Sequence, residues 1–172
     1  LLGPLDKDVT NFVEAELKSC GVELVLGVKV ESIEEGLKVY YASVKDGAKG
    51  TVEGDVVLMA GGRAPNTQGI GLDTIGVRMD RKGFVEVDGL CRTNVPGVYA
   101  IGDINGKMQL AHVASAQGLL VADHIAGKPC RQLNYNRIPS CVYCNPETAM
   151  VGLTEEQARA TGRDVGVGTF SL

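Results

Sequence analysis

Two apolar runs, each closed by glycine, constrain this chain most. Residues 55–60 read Asp-Val-Val-Leu-Met-Ala and lead into Gly61-Gly62, while residues 98–101 read Val-Tyr-Ala-Ile and lead into Gly102-Asp103. A short continuous apolar run of this kind is the pattern of a strand buried on both faces. In an open α/β sheet, ligands gather beyond the carboxyl ends of such strands, where glycine lets the backbone come close to them. The expectation is an α/β chain with a ligand near these two ends. Asp103 then stands where a carboxylate accepts hydrogen bonds from sugar or polyol hydroxyls. The simpler alternative is that Gly-Asp only makes a turn.

The remaining elements follow from periodicity. Pro4 and Asp6 punctuate the start of a segment in which Val9, Phe12, Val13 and Leu17 recur at helical spacing, with Gly21 as the stop. Residues 22–26, 28–33 and 37–44 are apolar or alternating runs split by Gly27 and Glu35-Gly36, and predict a meander of strands. Short strands are expected at 84–87, 138–143 and 149–151. Residues 110–126, small and apolar and followed by Gly127 and Pro129, predict a helix. Thr154-Glu155-Glu156-Gln157 is a capping box opening a last helix up to Gly162.

Charge and cysteine usage exclude several functional classes. The 17 basic and 21 acidic residues, net -4, are interspersed without a like-charge block, so neither nucleic acid nor an anionic membrane is an expected partner. No run reaches the roughly 18–20 apolar residues of a membrane span. Leu1-Leu2-Gly3-Pro4 does not read as a signal peptide, and with no initiator Met the sequence reads as an internal piece of something longer. Five irregularly spaced cysteines argue against a secreted disulfide framework, and most are expected to be reduced and buried. The expected setting is cytoplasmic.

Three local patterns invite stronger readings than they support. Cys141-Val142-Tyr143-Cys144 has redox or zinc spacing. Yet it lies on an expected strand rather than at a helix start, and no second pair stands at zinc spacing, so structural thiols are expected and no metal. Gly69-Ile70-Gly71 begins like a dinucleotide fingerprint but follows no strand. His112 and His124 are the two histidines; His124, late on a helix beside Asp123, reads as a helix-end residue.

Taken together, Gly61-Gly62-Arg63-Ala64-Pro65-Asn66 and Thr93-Asn94-Val95-Pro96-Gly97-Val98-Tyr99-Ala100-Ile101-Gly102-Asp103 resemble the central region of the pyridine-nucleotide disulfide oxidoreductases. The resemblance spans nearly the whole chain. Gln109-Leu110-Ala111-His112, Ile138-Pro139-Ser140, Asn145-Pro146-Glu147 and 151–155 are similar to the dihydrolipoamide dehydrogenase branch of that family. Gln109 replaces a methionine of that branch, and Cys144-Asn145 replaces threonine-histidine. Soluble transhydrogenases, mercuric reductases and glutathione reductases therefore stay open, as does a non-catalytic nucleotide-binding module.

The resemblance implies partial FAD/NAD(P)-binding Rossmann-like domains, then the start of an α+β interface domain. Residues 1–61 would be the C-terminal part of an NAD-binding domain, 62–136 a central, second flavin-binding segment, and 137–172 the start of the dimerisation domain. It implies FAD and NAD as cofactors, a homodimeric parent, and as substrate the dihydrolipoyl domain of a 2-oxoacid dehydrogenase or glycine cleavage complex. A eukaryotic parent would sit in the mitochondrial matrix. Asp103 would hold the ribityl chain of the flavin. Gln109, Leu110, Ala111 and His112 would face the isoalloxazine from the start of a helix, whose unpaired N–H groups and positive dipole end suit a reduced flavin. Gly62 would lie near the nicotinamide nucleotide. The family's redox disulfide and its histidine-glutamate base would lie outside this segment, so His112 is structural or flavin-proximal, and the isolated chain is expected to be inactive.

Overall fold

The computed structural model describes residues 5–170, and the expected role of Pro4 at the first helix start lies outside them. The chain divides into two units: one holds the chain up to Gly61 with Tyr143–Thr148 and the part from Thr154 onward, the other Gly62–Val142 with Ala149–Leu153.

In the first unit, α1 spans Lys7–Ser19. It ends as its glycine foretells. Val22 N–H donates to Leu17 O and Gly21 N–H to Lys18 O, both at 3.0 Å, with Gly21 at a φ of 82°. That is a left-handed cap satisfying two orphan carbonyls. Of its apolar stripe only Val13 is buried, while Phe12 is 58% exposed.

The meander is present but shifted along the chain. Strands β1 Val28–Glu34, β2 Lys38–Ser43 and β3 Lys49–Glu53 form an antiparallel sheet in that order, with an irregularity in β1 between Val30 and Ser32. Residues 22–26, expected as a strand, have no ladder partner, and Val22, Val25 and Leu26 are exposed. The third strand is instead Lys-Gly-Thr-Val-Glu, whose glycine and charges hide its strand character. Gly50 lies opposite Tyr41, and the Tyr41 ring occupies the space of a side chain there.

Residues 55–60 overturn the leading expectation locally. They are not a ladder strand, and Val56, Leu58 and Met59 are 83%, 85% and 72% exposed. An apolar run is a buried strand only when neighbours cover both faces, and none of the described residues does so.

The last helix, α3 Glu155–Ala160, opens with the expected capping box. Thr154 Oγ1 accepts from Gln157 N–H at 3.2 Å, and Gln157 Oε1 accepts from Thr154 N–H at 3.1 Å. Asp6, at the start of α1, makes no side-chain cap to its own helix; its Oδ1 accepts from Glu155 N–H at 2.7 Å. Replacing Thr154 with alanine should cost about 1 kcal/mol in denaturant unfolding, the usual loss for an N-cap, with a matching fall in α3 amide protection.

The second unit holds most of the buried side chains. Val77, Val85 and Ala100 form its small core, packed by Leu72, Val87, Val95, Val98 and Ile104. The run 98–101 is not a strand of a parallel sheet. Tyr99 forms an isolated antiparallel bridge with Arg92, Ala100 is buried and Ile101 is 41% exposed. Residues 84–87 likewise contribute only a bridge, Val85 to Met79. Helix α2 spans Ala111–Ile125, as its composition predicts, and ends at Gly127, whose N–H donates to His124 O at 3.1 Å. Val113 is completely buried on it. Strands β4 Ser140–Val142 and β5 Thr148–Met150 pair as a ribbon, with Thr148 counted in the first unit.

The cysteines correct another expectation. None is in a disulfide, but only Cys91 is buried, whereas Cys20 and Cys141 are exposed and Cys130 and Cys144 half-buried. Burial pushes the Cys91 thiol up, and the Asp88 carboxylate adds to the effect.

Candidate functional site

Asp103 lies on a single turn of 3-10 helix, Gly102–Asn105, which is fixed in two ways. Behind it, Asn105 is 5% exposed and Gln117, one helical turn beyond Val113 on α2, is completely buried. Gln117 Oε1 accepts from Gly102 N–H at 2.6 Å and from Asn105 Nδ2 at 3.1 Å. The Asn105 amide also donates to Ala100 O at 3.0 Å. At the other end of the same amide, Gln117 Nε2 donates to the Tyr135 hydroxyl at 2.9 Å.

Close backbone approach is the second constraint. Gly102 has a φ of 75°, and a Cβ there would stand 3.2 Å from Ala114 Cβ in the opening of α2. The turn and the helix start are thus neighbours because this position carries no side chain.

The carboxylate itself has a looser partner. Asp103 Oδ2 pairs with Arg63 Nη2 at 2.5 Å, and the two side chains are 38% and 65% exposed. The glycine-arginine stretch and the glycine-aspartate stretch, forty residues apart in sequence, therefore meet as an ion pair. At this exposure the pair adds little stability, about 0–1 kcal/mol. It does hold the carboxylate at an accessible surface.

Thr93 and Asn94, singled out with Asp103, are architectural. Thr93 Oγ1 donates to Val98 O at 3.0 Å and accepts from Val95 N–H at 3.1 Å, closing the loop before residues 98–101. Asn94 Nδ2 donates to Gly76 O, and its Oδ1 accepts from Arg78 N–H, both at 2.8 Å.

Helix α2 begins at Leu110, in extended backbone, with no side-chain cap and no acidic residue in its first turn. Gln109 and Leu110 are half-buried, and Ala111 and His112 are exposed. His112 Nε2 lies 3.0 Å from Pro139 O, so its ring ties the helix start to the segment entering β4. His124 stacks edge-on to Tyr99 with centroids 6.0 Å apart. Gly62 opens the second unit, with nothing within 4 Å of where a side chain would begin. No cluster of three or more metal-ligating side chains exists among the described residues, and no helix among them is long and apolar enough to cross a membrane.

Sequence reasoning missed Gln117, Asn105 and Tyr135. The one available signal was a glutamine flanked by small and apolar residues in the middle of α2, since a buried amide must find partners. Chemically, the arrangement offers one partly exposed carboxylate as an acceptor and, beside it, the uncapped N–H groups of a fifteen-residue helix as donors. That donor and acceptor set suits a ligand carrying both hydroxyls and electron-rich carbonyl or ring nitrogen atoms.

The chain also has relatives among known proteins. Residues 1–118 match the model of the pyridine nucleotide-disulphide oxidoreductases, and residues 138–172 match that family's dimerisation domain. The chain is similar to a dihydrolipoyl dehydrogenase of Mycobacterium leprae, 44% identical over 96% of this chain and 36% of the relative. It is also similar to one of Geobacillus stearothermophilus, 40% identical over 99% and 36%. Among solved structures, LpdA from Mycobacterium tuberculosis superimposes with a TM-score of 0.78 at 32% identity, covering 91% of this chain and 34% of that one. The HOCl-induced flavoprotein disulfide reductase RclA from Escherichia coli gives 0.77 at 30%, covering 95% and 37%. The chain spans about a third of the length of the relatives it matches.

Proposed function

Because the chain belongs to the pyridine nucleotide-disulphide oxidoreductase family, we propose that it is the central part of a dihydrolipoyl dehydrogenase. The full-length protein would oxidise dihydrolipoyl groups with NAD+ through FAD and a cysteine disulfide supplied outside these 172 residues. The observation that carries this reading is Asp103, a half-exposed carboxylate on a turn locked against the opening of α2.

When bound, FAD supplies two-electron transfer between the dithiol and nicotinamide. The chain's own residues bind and orient it. Asp103 accepts hydrogen bonds from ribityl hydroxyls. Gln109 and Leu110 would touch the flavin, and the N–H groups of Ala111 and His112, with the positive end of α2, would serve the edge of the ring where charge accumulates on reduction, the Leu110 N–H being given to Met108 O. Gly62 lies by the nicotinamide nucleotide. His112, engaged with Pro139 O, serves as a strut rather than a base.

Residues 1–61 form the end of the NAD-binding domain, 62–136 the central domain and 137–172 the start of the dimerisation domain of a homodimer. The bare side chains of Val56, Leu58 and Met59 are covered, on this reading, by sheet neighbours outside the segment. The substrate is the dihydrolipoyl domain of a 2-oxoacid dehydrogenase or glycine cleavage complex, and the setting is the cytoplasm, or the mitochondrial matrix of a eukaryote.

The test is an assay of the purified full-length protein with dihydrolipoamide and NAD+. A yellow protein forming NADH, beside a colourless and inactive 172-residue segment, is the expected result. A yellow protein that ignores dihydrolipoamide but reduces glutathione disulfide or mercuric ion would move it to another branch. A colourless full-length protein would remove the flavin reading altogether.

A further inference from the structure

We infer that Gln117 is a positioning residue for the flavin site: its buried amide sets the turn carrying Asp103 in register with the start of α2. This rests on the proposed flavin reading of Asp103.

Gln117 touches no surface, and its amide joins three separate stretches of chain. Its oxygen takes the Gly102 N–H at 2.6 Å and the Asn105 amide at 3.1 Å, from both ends of the turn on which Asp103 sits. Its nitrogen gives a hydrogen bond to the Tyr135 hydroxyl at 2.9 Å, in the segment that leads to β4. Gln117 therefore acts on Asp103 through the turn, by controlling its height and tilt above the helix. The Asp103–Arg63 pair is too exposed to do this, since a surface ion pair tolerates several geometries. A buried amide with each of its polar atoms engaged does not.

The bonding pattern also predicts which substitution is tolerated. Glutamate keeps an oxygen for Gly102 and Asn105. Its second oxygen can accept from the Tyr135 hydroxyl, which reverses its role from acceptor to donor. A carboxylate with three such donors is well satisfied even when buried. Leucine keeps the volume and removes every one of these bonds.

The test compares Gln117→Leu, Gln117→Glu, Asp103→Ala and Val77→Ala in the full-length protein. FAD affinity is measured by adding FAD to apoprotein well below each variant's unfolding midpoint, and the visible spectrum of the bound flavin is recorded. Val77→Ala trims the core of the same unit without removing any side-chain hydrogen bond of the turn, and serves as a destabilised control.

The expected result is FAD affinity at least tenfold weaker for Gln117→Leu, with a shifted or blurred flavin band. Gln117→Glu should stay within about threefold of the parent, and Val77→Ala should lose stability alone. Unchanged affinity and spectrum in Gln117→Leu would overturn the inference, as would equal losses in Gln117→Leu and Val77→Ala at matched stability. If Gln117→Leu does not fold, Tyr135→Phe, which removes one hydroxyl, replaces it; an unaltered flavin band there overturns the inference equally. Asp103→Ala separates the two levels: if it leaves FAD affinity intact, the flavin reading of Asp103 fails, whereas loss there with none at Gln117 removes the positioning role only.

Discussion

Replacing Asp103 with alanine in the full-length protein should weaken FAD binding roughly 10- to 100-fold, measured by recovery of flavin absorbance in titrated apoprotein. A carboxylate that accepts hydrogen bonds from hydroxyls makes charge-assisted bonds, each about 1.5–3 kcal/mol when a partner is lost, and about 1.4 kcal/mol is a factor of ten. Asp103→Asn keeps an acceptor oxygen and should lose less, about tenfold at most. Arg63→Ala provides the contrast. It removes the ion-pair partner of Asp103, a surface pair of about 0–1 kcal/mol, so affinity should change by no more than about fivefold. If Arg63→Ala matched Asp103→Ala, the carboxylate would matter through its ion pair and not through a ligand.

Gly102→Val should be the most destabilising single change at the site, costing about 3 kcal/mol or more in denaturant unfolding. Two causes act together. A β-branched residue at a φ of 75° is strained by about 1–3 kcal/mol. The added atoms also press on Ala114, 3.2 Å from the first of them, in a contact whose overpacking costs typically about 1–3 kcal/mol. A second change separates the causes. Ala114→Gly opens the space but leaves the backbone torsion untouched. In a double-mutant cycle the pair should show a coupling of about 1 kcal/mol or more, with the torsional part of the loss remaining. Zero coupling would mean that the turn simply moves away from the helix, and that the close approach is not enforced at this glycine.

Local rules read the helices well. Gly21 and Gly127 end α1 and α2, and Thr154 with Gln157 opens α3, because each signal acts within one turn of chain. The strands were less legible. Residues 22–26 and 55–60 have the composition of strands but lack ladder partners, while the less obvious Lys49–Glu53 has one in β2. Strand formation depends on a neighbour supplied from elsewhere, and composition does not reveal whether one is present. Cysteine burial failed for a related reason. Cys141 is exposed on β4, a two-stranded ribbon with little to cover it.

By itself the sequence determined the family resemblance, the helix ends and the placing of Asp103 directly after a glycine at the end of an apolar run. These are statements about near neighbours along the chain, where torsional preference and capping act. Only the tertiary structure decided that Arg63 meets Asp103 and that Gln117 ties Gly102, Asn105 and Tyr135 together. Those contacts join residues 12 to 40 positions apart. A buried polar atom must be matched by whichever group folding brings beside it, and that group is fixed by the packing of α2 against the turn rather than by any local pattern.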